Sequence, residues 1–199
     1  MRVPQSPGRS VSCAGIPRGL ACSAMAAATA AIALLSCDKG PVSYPLEHCP
    51  VVINEFMTSN STTTIIDEGK DPEDWIEVYN ASDTPFDLSL LRLSDDSTDR
   101  GAYAFPDTFI AAHGYYLVWA DDDPGQGRNH AEFKLSSDDG DELILSGADG
   151  RIVDRIQFFP SSGNPEARLQ NVSYGRRSDG AAEWTRQLRP TPEGPNSGP

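Results

Sequence analysis

Six short runs of β-branched and aromatic residues, each cut off by an acidic or glycine-rich turn, constrain this chain more than any other feature. They are Val51 to Phe56 (VVINEF), Trp75 to Tyr79 (WIEVY), Leu88 to Leu93 (LSLLRL), Tyr115 to Trp119 (YYLVW), Leu143 to Leu145 (LIL) and Ile152 to Phe158 (IVDRIQF). Turn clusters such as SDDSTDRG, DDDPGQG and SSDDGDE stand between them. Runs of that length and composition read as strands. No window after Cys37 carries apolar residues at i, i+3, i+4 and i+7 with caps at both ends, so helices have no support. Short antiparallel strands without crossover helices pack as an all-β sandwich.

One pairing is legible in detail. Asp149-Gly150 lies between two apolar runs, the chemistry of a tight turn with φ above zero, so Leu143–Leu145 and Ile152–Phe158 are expected to pair antiparallel. Ile152, Asp154, Ile156 and Phe158 then share one face, which is expected to point to the core. Asp154 on that face needs a partner or an edge location.

The stretch Glu73 to Asn80 (EDWIEVYN) tests for catalysis. Strand alternation sends Asp74, Ile76 and Val78 one way and Glu73, Trp75, Glu77 and Tyr79 the other. Asp74 and Glu77 therefore cannot converge on one substrate atom. Glu73 and Glu77 share a face but stand about 13 Å apart along a strand, beyond the roughly 5 to 9.5 Å of paired glycosidase carboxylates. The acids are expected to form a solvated or ion-paired face.

The first 36 residues are a different polymer, with three Arg, no acid, and the apolar run MAAATAAIALLS from Met25 to Ser36. A charged start followed by an apolar run too short to span a bilayer reads as an export signal. Its end, Leu34-Leu35-Ser36-Cys37, resembles the bacterial lipobox, and cleavage would leave Cys37 as a lipidated N-terminus. The expected location is therefore the bacterial cell envelope, with the exported protein anchored to a membrane through Cys37. If Cys37 is not lipidated, it and Cys49 can close a disulfide loop instead. Residues 37–50, rich in proline and without apolar periodicity, read as a tether. The formal charge of −13, with 29 acidic residues against 16 basic ones, repels phosphate and argues against nucleic acid as a partner.

A family resemblance spans nearly all of the chain after Cys37. Ile53-Asn54-Glu55-Phe56-Met57, Asp67-Glu68, Asp74 to Asn80, Leu88, and Leu93-Ser94-Asp95-Asp96 resemble successive motifs of the lamin tail domain in its bacterial exported form. The likeness continues through Phe105-Pro106, Gly114 to Val118, Phe133 to Ser136, Gly140 with Glu142, Ser173-Tyr174-Gly175-Arg176, Asp179-Gly180, Trp184, Thr191-Pro192 and Asn196. It implies an immunoglobulin-like β-sandwich over residues 51–196, followed by a tail at 197–199. It also implies a non-catalytic interaction module. TPEGPN departs from the family's TPG followed by Asn at the final turn, within the Pro/Gly-rich end from Arg189 to Pro199.

Other chemistry finds little purchase. No GxSxG, P-loop, GxGxxG or HExxH is present, so no catalytic, cofactor-binding or metal-ligating residue is assigned. His48, His113 and His130 are far apart in sequence and are expected in solvent-exposed loops. Calcium is the one cofactor the composition suggests, because Asp121-Asp122-Asp123, Asp138 to Glu142 and Asp95-Asp96 cluster hard oxygens on turns, although none fits the spaced DxDxDG loop. Arg176 and Arg177 are expected to pair with strand acids. The function expected is a binding or structural module for an unknown protein or surface ligand. The rivals are a nucleic-acid-binding module, an accessory subunit of an envelope enzyme, and a calcium-dependent adhesin.

Overall fold

The structure, a computed structural model, describes residues 49–136, 141–158 and 169–198. The expected signal, Cys37, most of the tether, His48 and Asp138 to Gly140 lie outside the described residues. Eleven strands are present among those described: β1 (Val51–Met57), β2 (Trp75–Asn80), β3 (Phe86–Asp87), β4 (Leu91–Ser94), β5 (Tyr103–Ala104), β6 (Phe109–Ile110), β7 (Tyr115–Trp119), β8 (Asp141–Gly147), β9 (Ile152–Phe158), β10 (Ser173–Arg176) and β11 (Trp184–Gln187). A five-stranded sheet runs in the order β11-β10-β1-β2-β7, a four-stranded sheet in the order β5-β4-β8-β9, and β3 pairs with β6. All named strand pairings are antiparallel. This is the all-β sandwich that the turn-punctuated runs predict, with the immunoglobulin-like form that the family resemblance implies.

The core is one cluster drawn from both sheets, including Ile53, Phe56, Ile76, Val78 and Val118 from the first and Leu91, Leu93, Leu143, Leu145 and Phe158 from the second. Burying each such side chain contributes roughly 1.5–3 kcal/mol relative to leaving it exposed. Phe56 is its aromatic centre, with ring centroids 4.6 Å from Phe158, 5.9 Å from Tyr174 and 5.7 Å from Trp184.

Strand β1 reaches this core only because it breaks step. The β1–β2 register runs Ile53↔Val78 and then Glu55↔Glu77, so Asn54 is an extra residue, a β-bulge. One inserted residue re-phases the alternation. Ile53 and Phe56 therefore both enter the core, while Asn54 and Glu55 turn to the sheet's other face.

Two local expectations need correction. Leu88 to Leu93 is not one strand: Leu88–Leu90 is a single 3₁₀ turn, and β4 starts at Leu91. The cause is Asp87, whose carboxylate accepts from Ser89 N–H at 3.0 Å and from the Ser89 hydroxyl at 2.7 Å. A short acidic side chain that caps the backbone in this way favours a turn over an extended chain. In β9 the expected core face holds for Phe158, and Ile156 packs against the core, but Ile152 is 42% exposed. A register shift between Leu145 and Ser146 explains it, since Leu145 faces Asp154 while Ser146 faces Ile152. The hairpin itself forms as expected, with Gly150 at φ +80°.

Candidate functional site

Every motif acid in EDWIEVYN is positioned by β2 and the loop before it. The predicted alternation is correct, but the predicted solvation of the Glu77 face is not. Glu77 is fully buried, as is Glu55 beside it in the ladder. What covers them is the segment after β11. Glu77 accepts from Asn54 Nδ2 at 3.0 Å and from Glu193 N–H at 2.5 Å. Glu55 accepts from the Ser173 hydroxyl, from Thr191 N–H at 3.1 Å and from the Thr191 hydroxyl at 2.7 Å.

Asn196, 7% exposed, completes the cover. Its amide donates to the carbonyls of Asn54 at 3.1 Å and Arg176 at 2.8 Å, and its N–H donates to Asp179 at 2.9 Å. Asp179 in turn accepts from Asn54 Nδ2 at 3.0 Å and from the Tyr115 hydroxyl at 2.6 Å. The Pro/Gly-rich end is therefore part of the fold as far as Asn196. The altered final turn still closes, with Glu193 at φ +58° and Gly194 N–H on Thr191 O at 3.0 Å.

Burial pushes the Glu77 carboxyl up to about 8, and repulsion from Glu55 and Asp179 adds to it against the hydrogen bonds from Asn54 and Glu193. Glu55 is raised by the same cause, and Asp74 is raised to about 6 chiefly by burial. A carboxyl whose folded pKa lies above its unfolded one, ordinarily 4.5, favours folding most when protonated. The stability it contributes is complete below about pH 4.5 and is lost as pH rises through about 8. Wild type is thus expected to lose on the order of 3 kcal/mol between pH 5 and 8.5 from this group. Glu77→Gln cannot accept both N–H groups, so it should start about 1 kcal/mol less stable at pH 5. Its curve should then run flatter and cross that of wild type at about pH 6, where wild type has lost its first kcal/mol or so. Urea unfolding at five pH values measures this, and parallel curves would contradict it.

Arg176 ties the two sheets together at one edge. Its guanidinium donates to Ile53 O at 2.7 Å, Ala181 O at 2.5 Å and Asp154 at 2.7 Å, and stands 5.0 Å from the Trp184 ring centre. Asp154, on edge strand β9, also accepts from Ile53 N–H at 2.9 Å. The need for a partner and the edge location are both met. Arg176 thus has the strand acid expected, whereas Arg177 pairs at 3.1 Å with Glu183, which lies in the turn before β11.

Among the described residues, several acids of these turns are occupied by backbone donors. Asp96 accepts from Thr98 N–H at 2.7 Å, Asp141 from Ser136 N–H at 3.2 Å, and Glu142 from Ser97 N–H at 2.9 Å while it pairs with Arg155. Asp122 and Asp123 are exposed, but Asp121 is buried, and it meets residues that sequence distance hides. His130, expected in solvent, is 2% exposed: its Nδ1 lies 2.5 Å from Asp121 and its Nε2 lies 3.0 Å from Glu68. Burial alone would push this imidazole down, but the hydrogen bonds to Asp121 and Glu68 overcome it and hold it above the ordinary value. His113, by contrast, is half exposed between Tyr79 and Asp83. Cys49 is half-buried, and desolvation pushes its thiol up to about 11.

A cleft of about 550 Å³ lies between the segment Gly101 to Asp107 and the loop Pro124 to Glu132, with Tyr103, Pro106 and Arg128 among its walls. The Tyr103 hydroxyl donates to Arg128 O at 2.8 Å across it. No helix among the described residues is long and apolar enough to cross a membrane.

Fold and geometry together define an immunoglobulin-like sandwich whose motif acids hold its own backbone. Residues 47–159, more than half of the chain, match the lamin tail domain family model, and the chain belongs to that family. The family's domain is an immunoglobulin-like binding or structural domain, not an enzyme. The match ends before β10, yet Ser173 to Asn196 complete the five-stranded sheet and its cover. No curated protein matches the chain.

Proposed function

We propose that this protein is an exported lipoprotein, anchored through Cys37 at a bacterial cell envelope, and that its sandwich is a non-catalytic module for protein–protein or surface contacts. The observation that carries the reading is the destination of the buried motif acids: Glu55 and Glu77 bind backbone and hydroxyl donors of their own fold and are engaged there rather than facing a substrate. Binding then belongs to the loops at the sandwich ends and to the edge strands. The apolar run that abuts Cys37 supports the anchor.

Intact mass and membrane fractionation of wild type and Cys37→Ser test this in a bacterium with lipoprotein processing. Wild type is expected to gain acyl mass and sediment with membranes, and the variant to do neither. Identical soluble, unacylated products would overturn the anchor.

A further inference from the structure

Two loops that are distant in sequence bring three buried metal-ligating side chains together. Asp67 comes from the β1–β2 loop, and Asp121 and His130 come from the segment after β7. They are 6%, 5% and 2% exposed, and one ligand atom from each lies within 4.8 Å of the other two. The bridge Trp119↔His130 and the hydrogen bond from Ala131 N–H to Trp119 O hold the second loop against β7.

An acidic cluster alone would prove nothing, but Asp67 carries an anomaly. Its Oδ1 accepts from Asp71 N–H at 2.8 Å, whereas its Oδ2 is buried with no hydrogen-bond partner. Leaving a buried carboxylate oxygen unmatched is costly, so such an atom calls for an explanation. A cation supplies one. The packing also leaves this carboxylate close company. A Cβ at Gly69 would stand 3.2 and 3.3 Å from the two Asp67 oxygens, and one at Gly127 would stand 3.2 Å from His130 Cδ2.

We infer that Asp67, Asp121 and His130 form a binding site for a divalent transition-metal ion of the zinc or manganese type, with Glu68 orienting the imidazole. One imidazole and two carboxylates are a mixed nitrogen and oxygen set, and the imidazole favours zinc or a neighbouring transition metal over calcium or magnesium. Asp121 faces Nδ1, so a cation between them is bound by both. Glu68 keeps Nε2, the outer contact that fixes the ring of a metal-bound histidine. Tetrahedral zinc places its ligand atoms about 3.4 Å apart, which small side-chain shifts reach from the present spread. Binding at Nδ1 displaces to solvent any proton that nitrogen carries, as ligation by imidazole requires. The field suits a cation as well: Glu73 nearby is raised, first by burial and then, against Lys134, by Asp121, Asp67 and Asp71. The site is independent of the lipid anchor.

The test is titration of the full chain, stripped with chelator, with Zn²⁺, Mn²⁺ and Ca²⁺ by calorimetry, with melting temperature as a second readout. One Zn²⁺ or Mn²⁺ per chain is expected to bind, raising the melting temperature, with calcium at least tenfold weaker. Co²⁺ in place of zinc should give visible bands of a low-coordinate site. Asp67→Asn should weaken binding at least tenfold. Glu68 is largely exposed, so Glu68→Gln should fold normally and weaken binding several-fold, which decides the matter should Asp67→Asn fail to fold. Absence of saturable Zn²⁺ or Mn²⁺ binding, affinity unchanged in the folded variants, or preference for calcium would each overturn the site.

Discussion

A chain ended after Pro190 should lose about 4 kcal/mol of stability, a large part of the 5–15 kcal/mol typical of a domain. The residues removed supply the Thr191, Glu193 and Asn196 donors that meet Glu55, Glu77, Asp179 and the carbonyls of Asn54 and Arg176. Each such bond is worth roughly 0.5–1.5 kcal/mol. Water reaching the bared carboxylates offsets part of the loss. The same water should return Glu77 toward an ordinary carboxyl, so the truncated chain should also lose the fall in stability between pH 5 and 8.5. Urea unfolding reads both effects. A truncated chain as stable as wild type would show that the segment merely lies on the sheet.

Arg176→Ala is the second large effect, at about 3–5 kcal/mol, the usual cost of breaking a buried pair from one side. It strips Ile53 O and Ala181 O of a donor and leaves Asp154 with Ile53 N–H on the same oxygen that faced the guanidinium. Arg176→Lys should recover less than half, because one ammonium cannot span three acceptors that the planar fork reaches together. A double-mutant cycle with Asp154→Asn should give a coupling above about 1 kcal/mol. Additive losses would mean that the arginine serves the backbone carbonyls alone.

The strands were legible where apolar residues form runs. Tyr115–Trp119 and Ile152–Phe158 have the observed bounds, and Asp149-Gly150 marks the observed turn. The two-residue strands β3, β5 and β6 are too short to carry a period, and β10 and β11 are polar, with Gly175 packed where a Cβ would come 3.0 Å from Asn196. The buried acids were hidden for a different reason. Alternation tells which way Glu77 points but not what lies over it, and its cover comes from a segment 116 residues away that composition marks as tail. A usable signal did exist: Asn54 and Glu55 interrupt an apolar run in one strand as Glu77 does in its neighbour, and polar residues inside paired strands require partners. The cluster of Asp67 with His130 offered no such hint, because only the folded loops bring it together.

The central claim is that the motif carboxylates belong to a sealed second face of the sheet. It is tested most directly by following the Glu77 side-chain carboxyl carbon by NMR as pH is varied. A midpoint near 8, coupled to the titration of Glu55, is the result this structure predicts. A midpoint near 4.5 would place Glu77 in water, open the face, and return the acids of this strand to the pool of residues free to act on a substrate.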